Sequence, residues 1–93
     1  MTLDEMAVRE ALAGLSGWMG DTASISKTYE FPSFAEAVLG VAAVAVAAER
    51  ADHHPDIDIR WRSVTFRLAT HSAGGVTAKD LGLAADIDDT LGK

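Results

Sequence analysis

A chain of 93 residues, 48% apolar and 24% charged, has room for one small core and is read as a single globular domain over residues 1–93. It has no cysteine, which excludes disulfides and thiolate metal sites and fits a reducing, cytoplasmic compartment. Its net charge of −6, with eight basic residues scattered along the chain, lacks the basic patch of a direct nucleic-acid binder, and no apolar run approaches the roughly 20 residues of a membrane span.

The opening MTLDEMAVREALAGLSGW carries three acidic residues and no apolar core of a secretory signal, so export is not expected. Thr2, followed three residues later by Glu5, has the spacing of a capping box. Val8, Ala11, Leu12 and Leu15 then recur at helical spacing up to a stop at Gly17, which predicts a first helix. From Trp18 to Phe31 the period shortens to two. Ala23, Ile25, Lys27, Tyr29 and Phe31 alternate with Ser24, Ser26, Thr28 and Glu30, the pattern of a half-buried strand, and Gly20-Asp21 offers a turn through which Trp18-Met19 pairs with it. A second capping box, Ser33 with Glu36, opens a helix that reads FAEAVLGVAAVAVAAER and reaches about Asp52. Its apolar run from Ala37 to Ala48 is 12 residues, too short for a span and so a buried core helix. Phe34, Val38, Val41 and Ala45 make one face while Leu39 and Val46 lie off it. Such a helix needs cover on more than one side, and another copy of the chain is expected to supply the second.

Pro55 drives His54 out of the helical region, so the helix ends near His53-His54 and the chain leaves extended. Ile57, Ile59 and Trp61 alternate with Asp58, Arg60 and Arg62. Val64, Phe66 and Leu68 alternate with Thr65, Arg67 and Ala69. These are two strands joined by a reversal near Arg62-Ser63, although no Asn-Gly or Asp-Gly fixes the turn. The loop His71-Ser72-Ala73-Gly74-Gly75 has glycines able to take positive φ. Thr77 with Asp80 is a third cap, and Leu83, Ala84, Ile87 and Leu91 give the last helix an apolar face. The order α-β-β-α-β-β-α, with hairpins rather than crossovers, predicts an α+β fold: a four-stranded antiparallel sheet with three helices packed on one face.

If the last two strands pair antiparallel, the end of the second lies beside the start of the first, and His71 comes close to His53 and His54. All three histidines of the chain then converge on one edge of the sheet. A change from helical to extended backbone between His53 and His54 makes their side chains diverge, so one pocket is contacted from two sides. Each residue also has a purely structural reading. A histidine in a helix's last turn favours the C-terminal dipole, Asp80 is explained as a capping residue, Glu49 and Asp52 as solvated ends of an apolar helix, and Trp18 and Trp61 as core or interface aromatics. Neighbouring histidines that point apart do not share one ion and no H-E-x-x-H spacing is present, so no metal is expected. No G-x-S-x-G, cysteine nucleophile or phosphate-binding glycine loop is present either.

Glu49-Arg50-Ala51-Asp52-His53-His54-Pro55, followed by Val64, Phe66 and Leu68 alternating into Thr70-His71, then Ala73-Gly74-Gly75-Val76-Thr77 and Asp80, resembles the signature of pterin-4a-carbinolamine dehydratases. The resemblance runs from about Leu12 to Asp88, and its specific part is His-His-Pro with a third histidine 17 residues after the second. It implies a four-stranded antiparallel sheet backed by three helices, association as homodimers or homotetramers, and loss of water from 4a-hydroxytetrahydropterin to give quinonoid dihydropterin in tetrahydropterin recycling, with no metal or cofactor. It also implies that the pterin is held by Asp52, His53 and His54 and by Ala69, Thr70, His71 and Ser72, with Glu49 and Asp80 near the catalytic histidines. Expelling hydroxide from a carbinolamine needs a proton delivered to the leaving oxygen and another removed from a ring nitrogen, tasks suited to imidazole at neutral pH. His53 and His71 are the expected acid–base groups, His54 a positioning group, and Asp80 or Glu49 the residue that orients a histidine. Ile57, Trp61 and Ala69 depart from the family's common aromatic, tyrosine and serine. The same fold also resembles non-catalytic dimerisation cofactors and assembly chaperones; retention of all three histidines favours the enzyme.

Overall fold

In the computed structural model, which describes residues 1–92, the chain runs α1 (Glu5–Ala13), β1 (Met19–Gly20), β2 (Ile25–Glu30), α2 (Phe34–Ala51), β3 (Asp56–Arg60), β4 (Ser63–Leu68), a 3-10 turn (His71–Ala73) and α3 (Ala78–Leu91). This is the expected α-β-β-α-β-β-α order; Lys93, the end of the expected domain, lies outside the described residues. The strands form one antiparallel sheet in the order β1-β2-β4-β3. Cross-strand partners share a face, so the register Ile25–Leu68, Lys27–Phe66 and Tyr29–Val64 defines the side that the helices cover. There Ile25, Tyr29, Val64, Phe66 and Leu68 are buried against Val8 of α1, Ala37 and Val44 of α2, and Leu83, Ala84 and Ile87 of α3. The opposite face carries Ser26, Thr28, Thr65 and Arg67, and the Thr28 and Thr65 hydroxyls meet across the strands at 2.7 Å.

Four local expectations are corrected. Asp4, not Thr2, caps α1: its carboxylate accepts the Ala7 N–H at 2.8 Å, while the Leu3 N–H is tied to the Val76 carbonyl and holds the first residues away from the helix. The helix accordingly stops at Ala13, with Gly14 rather than Gly17 as its cap. On α2, capped as expected by Ser33, the buried positions are Ala37, Gly40, Val44 and Ala48, whereas Phe34, Val38, Leu39 and Val46 are exposed. Large side chains of the sheet side already fill the space. Gly40 passes so close to the Phe31 ring that a Cβ there would lie 2.7 Å from it, so no side chain fits at that position.

The reversal between β3 and β4 uses Trp61 and Arg62, with Arg60 paired to Ser63, one residue earlier than expected. Trp61 supplies the positive φ (57°) that such a tight reversal requires, and Phe31 N–H bonds to the Arg62 carbonyl at 2.9 Å, fixing the turn against the end of β2. Ile57 and Ile59 do face the helix side, opposite Phe66 and Val64, but β3 is the edge strand and both remain partly exposed. Trp18 is buried and Trp61 is 73% exposed, so only the first tryptophan belongs to the core of the single chain.

Candidate active site

α2 closes through Asp52, which takes the left-handed conformation (φ 51°). Its N–H bonds to the Glu49 carbonyl at 3.2 Å and the His53 N–H to the Ala48 carbonyl at 3.1 Å, the two bonds of a Schellman closure. Aspartate tolerates this backbone better than most residues. The helical run therefore breaks at Asp52, one residue before the expected place, and both histidines lie on the outgoing segment. Their side chains diverge as expected. His53 Nε2 reaches Asp80 Oδ1 on α3 at 2.5 Å, and His54 Nε2 reaches back to Glu49 Oε2 at 2.5 Å. The two pairs differ in setting: His53 and Asp80 are 11% and 0% exposed, His54 and Glu49 61% and 74%.

The third histidine arrives from β4. Asp56 faces Arg67 in the β3–β4 register, so the end of β4 lies beside the start of β3, just after the two histidines. The chain then folds back on itself, with a bridge between Thr70 and Gly75 and a 2.9 Å bond from Thr70 N–H to the Gly75 carbonyl. A side chain at position 75 would collide with the Thr22 carbonyl, 2.6 Å from a Cβ, so glycine is required by the close approach of two backbones. The 3-10 turn between these points presents His71 and Ser72 to solvent. Beside it lies an open depression of about 370 Å³ lined by Met1, Thr70, Ser72, Ala73, Thr77, Ala78 and Lys79.

Asp80 is the structural centre of this corner. As the third residue of α3 it returns to the Thr77 N–H at 2.8 Å, while Thr77 Oγ1 accepts the Lys79 N–H at 3.2 Å, which is the reciprocal cap expected from the sequence. The same Oδ2 also accepts the Thr70 hydroxyl at 2.8 Å, and the Thr70 and Thr77 hydroxyls are 2.7 Å apart. The positive end of the α3 dipole favours a carboxylate here. Asp80 thus caps α3 through Oδ2 and contacts His53 through Oδ1, one oxygen for each.

His53, Asp80 and Thr70 are joined by direct hydrogen bonds, and Glu49 pairs with His54. Ala69 is half-buried, while Asp52, His71 and Ser72 stand exposed at the rim, their side chains making no hydrogen bond among the described residues. Thr77 was visible in the sequence only as a cap. Its contact with Thr70 depends on the reversal at residues 70–75, which no local pattern encodes. Among the described residues, no three His, Cys, Asp or Glu side chains are grouped to hold a metal ion.

The family model for pterin 4 alpha carbinolamine dehydratase matches residues 1–90. The chain is 51% identical over 89 residues, 96% of each chain, to a Roseiflexus castenholzii protein named "Putative pterin-4-alpha-carbinolamine dehydratase". A solved structure described as transcriptional coactivator/pterin dehydratase from Brucella melitensis superposes with a TM-score of 0.91 at 34% identity, covering 97% of this chain and 98% of that one. A pterin dehydratase-like protein described as a RuBisCO assembly factor in the alpha-carboxysome shares the fold, with a TM-score of 0.67 at 22% identity over 82% of this chain and 88% of that one. With a family model matched from residue 1 to residue 90 and half of all positions shared with a full-length relative, the chain belongs to the pterin 4 alpha carbinolamine dehydratase family.

Proposed function

We propose that the protein is a hydro-lyase that dehydrates a 4a-hydroxytetrahydropterin to the quinonoid dihydropterin in tetrahydropterin recycling, acting in the cytoplasm as a homodimer or homotetramer. The observation that carries this reading is the His53–Asp80 pair: an imidazole almost enclosed, anchored through one nitrogen to a buried carboxylate, at the corner where His54 and His71 also stand. His53 takes the proton from the ring nitrogen beside the carbinol carbon, and the electron pair released forms the C=N bond as the C–O bond breaks. His71, exposed and without a hydrogen-bonded partner among the described residues, delivers a proton to the departing oxygen, which leaves as water. His54, held by Glu49, positions the pterin together with Asp52, Ala69, Thr70 and Ser72. Only protons and water move, so the reaction consumes no redox cofactor.

The exposed apolar flank of α2 supports a second reading, a non-catalytic oligomeric module that acts by binding partners. One assay separates them: purified protein is added to freshly generated 4a-hydroxytetrahydropterin, with and without chelator. The dehydratase reading expects a faster dehydration that chelator leaves intact. A rate equal to the protein-free control would leave the binding module, and loss of the acceleration with chelator would put a metal in the mechanism.

A further inference from the structure

The hydrogen bonds around Asp80 have only one consistent direction. The Lys79 N–H can only donate, so Thr77 Oγ1 accepts there, at 3.2 Å. Asp80, as a carboxylate, can only accept. Thr70 therefore spends its one hydroxyl hydrogen on Oδ2, and the 2.7 Å contact between the threonines must be donated by Thr77 to Thr70. Oδ2 also receives the Thr77 N–H, at 2.8 Å. Two donors on Oδ2 set the carboxylate plane, and Oδ1 is left to His53 Nε2 at 2.5 Å. Facing an acceptor, Nε2 must carry the hydrogen. Among the described residues His53 Nδ1 has no hydrogen-bond partner and no buried side-chain nitrogen or oxygen lacks one, so Nδ1 keeps contact with solvent.

From this chain of donors we infer that Thr70 and Thr77 are positioning residues for the proposed dehydration: acting through Asp80, their hydroxyls hold His53 as the Nε2–H tautomer, with Nδ1 as its reactive, proton-accepting nitrogen. Thr70 then meets the pterin through its backbone alone, its hydroxyl being committed within the protein. Its side chain caps no helix, since the 3-10 turn that follows receives no side-chain bond from it. A change at Thr70 therefore tests the relay apart from helix capping.

The inference rests on the dehydratase reading only for its kinetic consequence, so the experiment has two arms. In the first, the imidazole nitrogens of ¹⁵N-labelled protein without substrate are observed by long-range ¹H–¹⁵N correlation, at a pH where His53 is neutral. Wild-type His53 is expected as Nε2–H. Thr70→Val frees the carboxylate to turn about its Cβ–Cγ bond and is expected to admit the Nδ1–H tautomer, while Thr70→Ser restores the wild-type pattern. In the second arm, Thr70→Val lowers kcat roughly tenfold, the scale of one hydrogen bond lost to a charged group, with KM changed less than about twofold, as expected for a transition-state effect; Thr70→Ser recovers the rate. A Nδ1–H tautomer in the wild type, or a folded Thr70→Val protein with both tautomer and kcat unchanged, overturns the inference. If no variant, wild type included, accelerates dehydration, the functional reading falls, and the tautomer arm still decides whether the relay exists.

Discussion

At the scale of single residues, the three histidines have unequal surroundings and so unequal expected roles. His53 is nearly enclosed and anchored to a buried carboxylate, and its removal takes away the proposed base. His53→Ala is expected to lower kcat by about 100- to 10,000-fold, the range of general acid–base catalysis, with little change in KM. His54 is 61% exposed and held by the still more open Glu49. His54→Ala is expected instead to raise KM more than it lowers kcat, and steady-state kinetics on the two folded variants distinguishes these patterns. Turnover near the wild-type level in both would make the pair structural. The histidines and Asp80 were legible as types and spacings, because His-His-Pro and Thr-x-x-Asp are local patterns. What the spacing could not supply was the partner of each. His53 and Asp80 are 27 residues apart, and their contact exists only because the end of α2 meets the start of α3 at the edge of the sheet.

At the scale of elements, each end of the β4–α3 segment is fixed by a different device. The start depends on the close packing of Gly75 against the backbone at Thr22, and Gly75→Ala forces that contact apart. An overpacked site of this kind costs about 1–3 kcal/mol, which denaturant unfolding would detect, and because the 70–75 bridge opens with it, turnover should fall as well. Farther along α3, Asp88 gathers Trp18 Nε1 at 3.2 Å, Lys27 Nζ at 2.8 Å and the Tyr29 hydroxyl, joining β2 and the segment before it to the helix. Burial alone would push the Asp88 carboxyl up. The bonds from Lys27, Tyr29 and Trp18 and the lysine charge outweigh it and hold the carboxyl below its usual range. A folded value below the unfolded one, about 3.9 for aspartate, gives stability that is complete above that pH and is lost as pH falls through the folded value. Asp88→Asn should therefore unfold at a lower temperature than wild type at pH 7, with the gap narrowing as pH falls below about 4 and closing only below the folded value, where both carry a neutral group; a constant gap from pH 7 to pH 2.5 would mean that the charge of Asp88 contributes nothing. The elements themselves were readable from periodicity. The inward face of α2 was not, since a helix apolar on every side gives no direction, and the Phe31 ring and the sheet decide that Ala37, Gly40, Val44 and Ala48 turn inward. The β3–β4 turn was displaced for a similar reason: tryptophan is not a residue whose own preference announces positive φ.

At the scale of the whole molecule, the feature that a single copy leaves unresolved is the outer side of α2. From Ala37 to Ala48 the helix has no charged residue, and Leu39 and Val46, two turns apart on one flank with the small Ala42 between them, are 68% and 53% exposed. Phe34 and Val38 extend the apolar surface along the neighbouring flank, and Ile57 and Ile59 are partly exposed at the sheet edge. A net charge of −6 disfavours association of two copies over long range, so the pairing expected of this apolar flank should survive added salt, which screens the repulsion. Removing a leucine-sized side chain from water is worth about 1.5–3 kcal/mol, and each lost contact occurs twice across a symmetric interface. Light scattering at micromolar concentration is expected to find a dimer or tetramer, with association unchanged or strengthened between low and high salt. Leu39→Asp or Val46→Asp places a charge on the seam and should yield a folded monomer, because neither position is buried within one chain. A wild-type monomer at that concentration, or Leu39→Asp and Val46→Asp proteins that remain assembled, would show that this flank of α2 is not what joins the copies.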